Sequence, residues 1–269
     1  MYFITAADTK FYFFLPYMVA QIERLFPKAR LIVYDLGMTE QETKQIREWG
    51  VEVKKWHIGP GEPVEEPNYY PRALHKPSMI LDALERYPNE TVVYLDADAI
   101  PNRKFSVPTG CDVVVTLIDQ RHIAWIESNP QLEFLGVFNT GVIFFGRSKR
   151  RLELCREWTA RMHLADFKIS DQSVLSTLIE ESEGHNRQEY NVTRNLNING
   201  TNVRVRILEA LEWNLFALRC NILCGKDRIP PEAANVLHFK GQSMHLKADF
   251  ENCIRMGKMD LHTKGVPLC

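Results

Sequence analysis

Asp96 and Asp98 stand one residue apart in "VVYLDADAI" (92–100), directly after the apolar run Val92, Val93, Tyr94 and Leu95. Such a run reads as a buried strand, and acids at its end call for a reason. Side chains alternate faces along a strand, so Asp96 and Asp98 are expected on one face and Leu95 and Ala97 on the other. Two close carboxylates repel, and a hard divalent cation relieves that repulsion. Oxygen ligands with open positions suit Mn²⁺ or Mg²⁺, which would in turn hold a diphosphate. The competing reading is a turn starting at Asp98 ahead of Pro101 and Asn102, with Asp96 solvated. The D-x-D pattern alone is compatible with both.

The elements that must hold these acids alternate between strand and helix. "MYFITAA" (1–7) is a short apolar run, and "FFLPYMVAQIERLF" (13–26) places Leu15, Met18, Ile22 and Leu25 on one helical face. "ARLIVYDLG" (29–37) is a second strand. Thr39 opens the next helix, with Glu42 completing a capping box and Gly50 as the stop. "VEVKKW" (51–56) alternates as an edge strand does. Strand, helix, strand, helix, strand is the pattern of a mostly parallel, Rossmann-like α/β sheet with helices on both faces. If Val92 to Leu95 is one of its central strands, the acids sit at the carboxyl end, where open α/β sheets bind ligands.

Downstream, "HIGPGEPVEEPNYYPR" (57–72) is a loop by its proline and glycine content, and "KPSMILDALERY" (76–87) is a helix with Pro77 in its first turn. "CDVVVTLI" (111–118) and "FNTGVIFFGRS" (138–148) are further strands, the second interrupted at its start by Asn139 and Gly141. Ser148 caps a helix whose Leu152, Cys155, Trp158 and Met162 form one stripe, while Lys149, Arg150, Arg151, Glu153 and Arg156 are expected to face solvent. Ser170 caps "SDQSVLSTLIEE" (170–181). The segment 184–202 is polar and rich in turn residues, "VRVRILEALEWNLF" (203–216) alternates like a strand, and the remainder is irregular. No linker is visible, so residues 1–269 read as a single domain.

The 33 basic and 34 acidic side chains nearly cancel to a net charge of −1, so no global field draws the chain to nucleic acid or an anionic membrane. Six scattered cysteines form no disulfide framework, and Cys220 and Cys224 have the wrong spacing for a zinc ribbon. The N-terminal apolar run lacks a basic leader and contains Asp8, and no stretch reaches the length of a membrane span. A cytoplasmic protein with reduced thiols and no integral membrane segment is expected.

Taken in order, "FITAADTKFYFFLPYMVAQIERLFP", "LIVYDLG", "VVYLDADAI", "FNTGVIFF", "SDQSVLS", "EWN" and "VLHFKG" resemble the GT-A glycosyltransferases. The resemblance is to the retaining family that includes glycogenin and bacterial lipopolysaccharide galactosyl- and glucosyltransferases. It spans nearly the whole chain and implies a single GT-A type domain: a nucleotide-binding half, 1–110, ending in the D-x-D, and an acceptor-side half, 111–269, with an irregular C-terminal metal-binding part. It also implies a metal-dependent hexosyltransferase with a nucleotide diphosphate sugar donor, UDP-linked, and a glycan, lipid-linked or protein acceptor.

By that resemblance Mn²⁺ (or Mg²⁺) is held by Asp96, Asp98 and His238, with Ala97 lining the donor site. Thr5, Ala6, Ala7 and Asp8 surround the nucleotide base, although Asp8 equally suits a strand-to-helix turn. Lys76 contacts the donor, and Gly241 with Lys240 meets the diphosphate. Asn139, Asp171 and Gln172 line the transferred sugar and the reacting face. Trp213 and Asn214 read equally as core packing beside a turn, and no catalytic role is assigned to them. The chain departs from the family where "HFKGQSMHLKADF" replaces a Lys-Pro-Trp continuation: either Lys247 stands in for the family's lysine or that phosphate contact is missing. The loop 57–72 and the segment 184–202 are the expected acceptor side. Two rivals stand beside this reading: a phosphotransferase of the haloacid dehalogenase type, whose D-x-D normally lies on the first strand, and a catalytically silent sugar-nucleotide or glycan-binding module.

Overall fold

The first strand, β1 (Tyr2–Ala7), buries Phe3 and Ile4 completely and pairs in parallel with β2 (Arg30–Asp35), from Tyr2 opposite Arg30 to Ala7 opposite Asp35. β3 (Glu52–Lys55) continues the parallel order at the sheet edge. Between them run α1 (Leu15–Leu25), which buries Leu15, Met18 and Ile22, and α2 (Glu40–Glu48). The Thr39–Glu42 capping box is present in full. Gly50, at φ +77°, ends that helical segment in the left-handed region where glycine is least strained.

The computed structural model describes residues 1–57, 74–118, 128, 136–164, 170–181, 189–216 and 234–239. After β3 the described elements are α3 (Lys76–Arg86), β4 (Val92–Leu95), β5 (Ala99–Pro101), β6 (Val113–Leu117), β7 (Phe138–Phe145), α4 (Arg151–Leu164), α5 (Asp171–Glu181), β8 (Val192–Ile198), β9 (Thr201–Glu209), α6 (Ala210–Trp213), β10 (Leu215–Phe216) and β11 (Val236–His238). The larger, mostly parallel sheet has the order β3-β2-β1-β4-β7-β6-β9-β8, and a small sheet has the order β10-β11-β5. The α/β class read from the sequence is the class observed.

The chain forms two compact units. The first comprises Met1–Trp56, Leu95–Ser106 and Ala210–Cys269 and contains β1, β2, β3 and the whole small sheet. Its core includes an aromatic cluster in which Phe105 meets Phe26 (ring centroids 4.8 Å), Phe3 (6.4 Å) and Trp213 (5.9 Å). The second comprises His57–Tyr94 and Val107–Glu209. There β6 is buried along its length, antiparallel to β7 and parallel to β9. Leu154, Cys155, Trp158 and Met162 form the buried face of α4, so the stripe is as expected except that Leu152 is half-buried.

Two expectations for the second unit fail for physical reasons. Arg151 does not face solvent: it is 1% exposed and its guanidinium donates to the carbonyls of Tyr87, Pro88, Glu90 and Gly146. A planar group with five donors can satisfy several carbonyls at once, and that outweighs its place in a basic run. Residues 192–198, within the segment read as polar and rich in turn residues, are a strand. Its buried positions are Arg194, Leu196 and Ile198, and an Asn199–Gly200 turn (φ +50° and +81°) joins it to β9. Two successive residues at positive φ are what a tight hairpin requires, and Asn-Gly supplies them.

Candidate functional site

β4 stops at Leu95, and the Ala99 amide donates to the Asp96 carbonyl (2.8 Å), closing a turn over residues 96–99. The acids therefore do not share a face through strand alternation. β5 belongs to the small sheet, so the chain must change direction between Leu95 and Ala99, and it is this turn that brings the two carboxylates together. The turn and cation readings of "VVYLDADAI" are thus not exclusive.

The third member arrives through the small sheet. β11 runs antiparallel to β5, with Val236 opposite Pro101, Leu237 opposite Ile100 and His238 opposite Ala99. The Phe239 amide donates to the Asp98 carbonyl (2.8 Å), and the Phe239 ring lies 6.0 Å from Phe14. This ladder sets His238 Nε2 3.2 Å from Asp98 Oδ1 and 3.8 Å from Asp96 Oδ2. One ligand atom from each residue lies within 4.8 Å of the others. His238 is 1% exposed and Asp98 is buried, whereas Asp96 is partly open. Two carboxylates and one imidazole converging on one point, with an open side at Asp96, are a donor set that fits a divalent cation such as Mn²⁺. Ala97 is buried within the turn.

A further residue belongs here that the sequence reading left without a role. Asn214 is fully buried, and its Oδ1 lies 2.9 Å from His238 Nδ1. Burial is what distinguishes this asparagine from a turn residue, because a buried amide must find partners. Nothing in the local pattern "EWN" announces that burial.

A second polar cluster lies in the other unit. The Lys76 ammonium, at the first residue of α3, is 2.7 Å from Asp171 Oδ2, at the first residue of α5. Thr140 donates its hydroxyl to the same oxygen (2.6 Å) and accepts from Lys76 (3.1 Å). All three residues are buried, and the ammonium sits 5.3 Å from the centre of the Tyr94 ring. Thr140 owes its direction to an irregularity in β7: Thr116 pairs with Asn139 but Val115 pairs with Ile143, so Thr140, Gly141 and Val142 oppose no residue of β6. Such bulges re-aim side chains. The interruption expected at Asn139 and Gly141 is this bulge within a continuous strand.

Asn139 Oδ1 accepts from the Gly141 amide (2.7 Å), while its buried Nδ2 has no partner among the described residues. Gln172 donates to the Gly136 carbonyl (3.2 Å), and Trp158 Nε1 donates to the Asp171 carbonyl (3.0 Å). At the end of β1, Asp8 Oδ1 accepts from the Phe11 amide (3.0 Å) and so caps the turn that follows the strand. Thr5 Oγ1 is buried without a partner among the described residues; Ala7 is buried and Ala6 half-buried beside it. Lys240, Gly241 and Lys247 lie outside the described residues, as do residues 58–72 of the expected acceptor loop and 184–188 of the expected acceptor segment.

No family model matches the chain, and no curated protein matches it. Among solved structures, the galactosyltransferase LgtC in complex with donor and acceptor sugar analogues superposes with a TM-score of 0.53 at 16% identity, over 99% of this chain and 98% of that one. An active-site mutant of LgtC superposes with a TM-score of 0.52, also at 16% identity and over the same shares of the two chains. At such identity the likeness establishes the fold: the chain is built as a GT-A glycosyltransferase domain is built.

Proposed function

We propose that the protein is a metal-dependent glycosyltransferase that moves a hexose from a UDP-linked sugar to an acceptor hydroxyl, with retention at the anomeric carbon. The observation that carries this reading is the convergence of Asp96, Asp98 and His238 on a chain with this fold. Bound there, Mn²⁺ or Mg²⁺ would supply a Lewis acid for the diphosphate leaving group. The neighbour LgtC is a galactosyltransferase that binds donor and acceptor sugar analogues, which supports a sugar donor here.

The chain's own residues then have separate tasks. Asp96, Asp98 and His238 hold the cation. Thr5, Ala6, Ala7 and Asp8 receive the base: the alanines leave room for the ring, and the buried Thr5 hydroxyl offers a hydrogen bond. Asp171 is tied by Lys76 and Thr140 through Oδ2, which leaves Oδ1 for a sugar hydroxyl. The Asn139 Nδ2 donor needs an acceptor, and a sugar oxygen is one. Gln172 is placed beside Asp171 by its bond to Gly136. Lys76 acts on the donor through Asp171, to which it is paired.

A thermal-shift screen of UDP-, GDP- and ADP-sugars with and without Mn²⁺ tests this reading. The expected result is stabilisation by a UDP-sugar only when metal is present, about 2.7 kcal/mol at a hundredfold excess over Kd. Asp98→Ala should abolish both that shift and metal-dependent hydrolysis of the donor. If no nucleotide sugar stabilises the protein in the presence of Mn²⁺, the proposal fails. Stabilisation without hydrolysis or transfer would mark a silent binding module instead.

A further inference from the structure

Asn214 and His238 are held by one small piece of the fold. The Asn214 amide donates to the Ala210 carbonyl (2.7 Å) at the end of α6, and the Asn235 amide donates to the Glu212 carbonyl (2.7 Å), which ties α6 to the start of β11. β10, which follows Asn214, pairs in parallel with β11, with Phe216 opposite His238. The side-chain contact of 2.9 Å between Asn214 Oδ1 and His238 Nδ1 is therefore braced by backbone bonds on both sides.

With the Asn214 amide oriented so that Oδ1 faces the ring, the contact is that of an acceptor oxygen with a proton on Nδ1. A neutral imidazole protonated on Nδ1 has its lone pair on Nε2. Nε2 is the nitrogen that faces Asp98 Oδ1 at 3.2 Å and Asp96 Oδ2 at 3.8 Å. Lone pairs facing one another at such distances are unfavourable unless a cation lies among them. The partner of Nδ1 is a buried side chain from the junction between α6 and β10. We propose that Asn214 is a positioning residue of the metal centre, fixing the His238 tautomer and ring orientation before any cation arrives. The inference rests on the metal-dependent reading given above and adds to it the group that makes His238 a ligand.

The test compares Mn²⁺ affinity, read from the free-ion electron paramagnetic resonance signal, in the wild-type chain, Asn214→Ala and Asn214→Asp. Asn214→Ala should weaken binding about 10- to 100-fold, the usual cost of removing a partner of a ligating histidine. Asn214→Asp keeps an acceptor oxygen and should stay within about threefold of wild type. In parallel, the ¹⁵N spectrum of the metal-free protein should show a proton on His238 Nδ1, the nitrogen that faces Asn214 Oδ1. His238→Gln identifies the resonance. Failure of the wild-type chain to bind Mn²⁺ would remove the metal centre and this inference with it. Wild-type binding with an unchanged Asn214→Ala affinity would overturn the role of Asn214 alone. A wild-type ring protonated on Nε2 alone would overturn it too, even if Asn214→Ala does not fold.

Discussion

Lys76 carries its ammonium at the first residue of α3, where the helix dipole opposes a positive charge. It is tolerated because Asp171 stands 2.7 Å away at the first residue of α5, a position where a negative charge is favoured. The pair is almost wholly withdrawn from water, with side-chain exposures of 8% and 9%, so removing one partner strands the other. Lys76→Met should therefore cost about 3 kcal/mol or more in urea denaturation, whereas the double variant Lys76→Met with Asp171→Asn should cost less than the two single changes added together. Additive losses would show that the pair is not coupled. Arg151 makes the same point with carbonyls in place of a carboxylate, and burial draws its guanidinium pKa down.

Elements meet closely at Gly136, just before β7. Its φ is +66°, and a Cβ there would lie 2.6 Å from Ser176 Oγ, 2.7 Å from the Gln172 carbonyl and 2.8 Å from Ser173 Cα. Gly136→Ala should thus lose about 2 kcal/mol or more of stability, from strain and from pushing β7 off the first turns of α5. A denaturation midpoint equal to wild type would contradict that contact. α4 is clipped to the β8–β9 turn by Glu157, which accepts from Arg161 (2.8 Å) and from Asn199 (3.0 Å). Those bonds, Arg161 first, hold the Glu157 pKa below its usual value. A depressed folded-state pKa means the contribution is present above the unfolded pKa and is lost as pH falls through the folded one. Glu157→Gln should cost only about 0.5 kcal/mol at neutral pH, because the pair is partly solvated, and nothing once the pH has fallen below the depressed folded-state pKa. Stability curves of the two proteins against pH should therefore converge in acid.

For the molecule as a whole, the two compact units are interleaved in sequence: the chain passes between them at 56–57, 94–95, 106–107 and 209–210. Neither is a contiguous stretch of the chain. We propose that residues 1–269 form one domain, and a single calorimetric transition with equal calorimetric and van't Hoff enthalpies is the expected outcome. Two resolved transitions would contradict it. Among the described residues no helix is long and apolar enough to cross a membrane.

Apolar runs, caps and turn residues are local quantities, and they were enough to place β1, β2, β3, α1, α2 and α3 and to name the α/β class. The motif order marked Asp96, Asp98 and His238 before their geometry was visible. Local pattern misjudged β8 because only alternate positions of a largely polar segment face the core, and that core is supplied by other strands. It misjudged Arg151 because the carbonyls it satisfies belong to residues 87–90 and 146. The Lys76–Asp171–Thr140 cluster and the Asn214–His238 contact depend on which strands and helices become neighbours, as does the turn that brings Asp96 and Asp98 together. By itself the sequence determined which residue types were present for metal and sugar chemistry and on which elements most of them lie. Tertiary structure decided which of them touch, because β5–β11 pairing and the bulge in β7 follow from contacts between segments far apart in the chain.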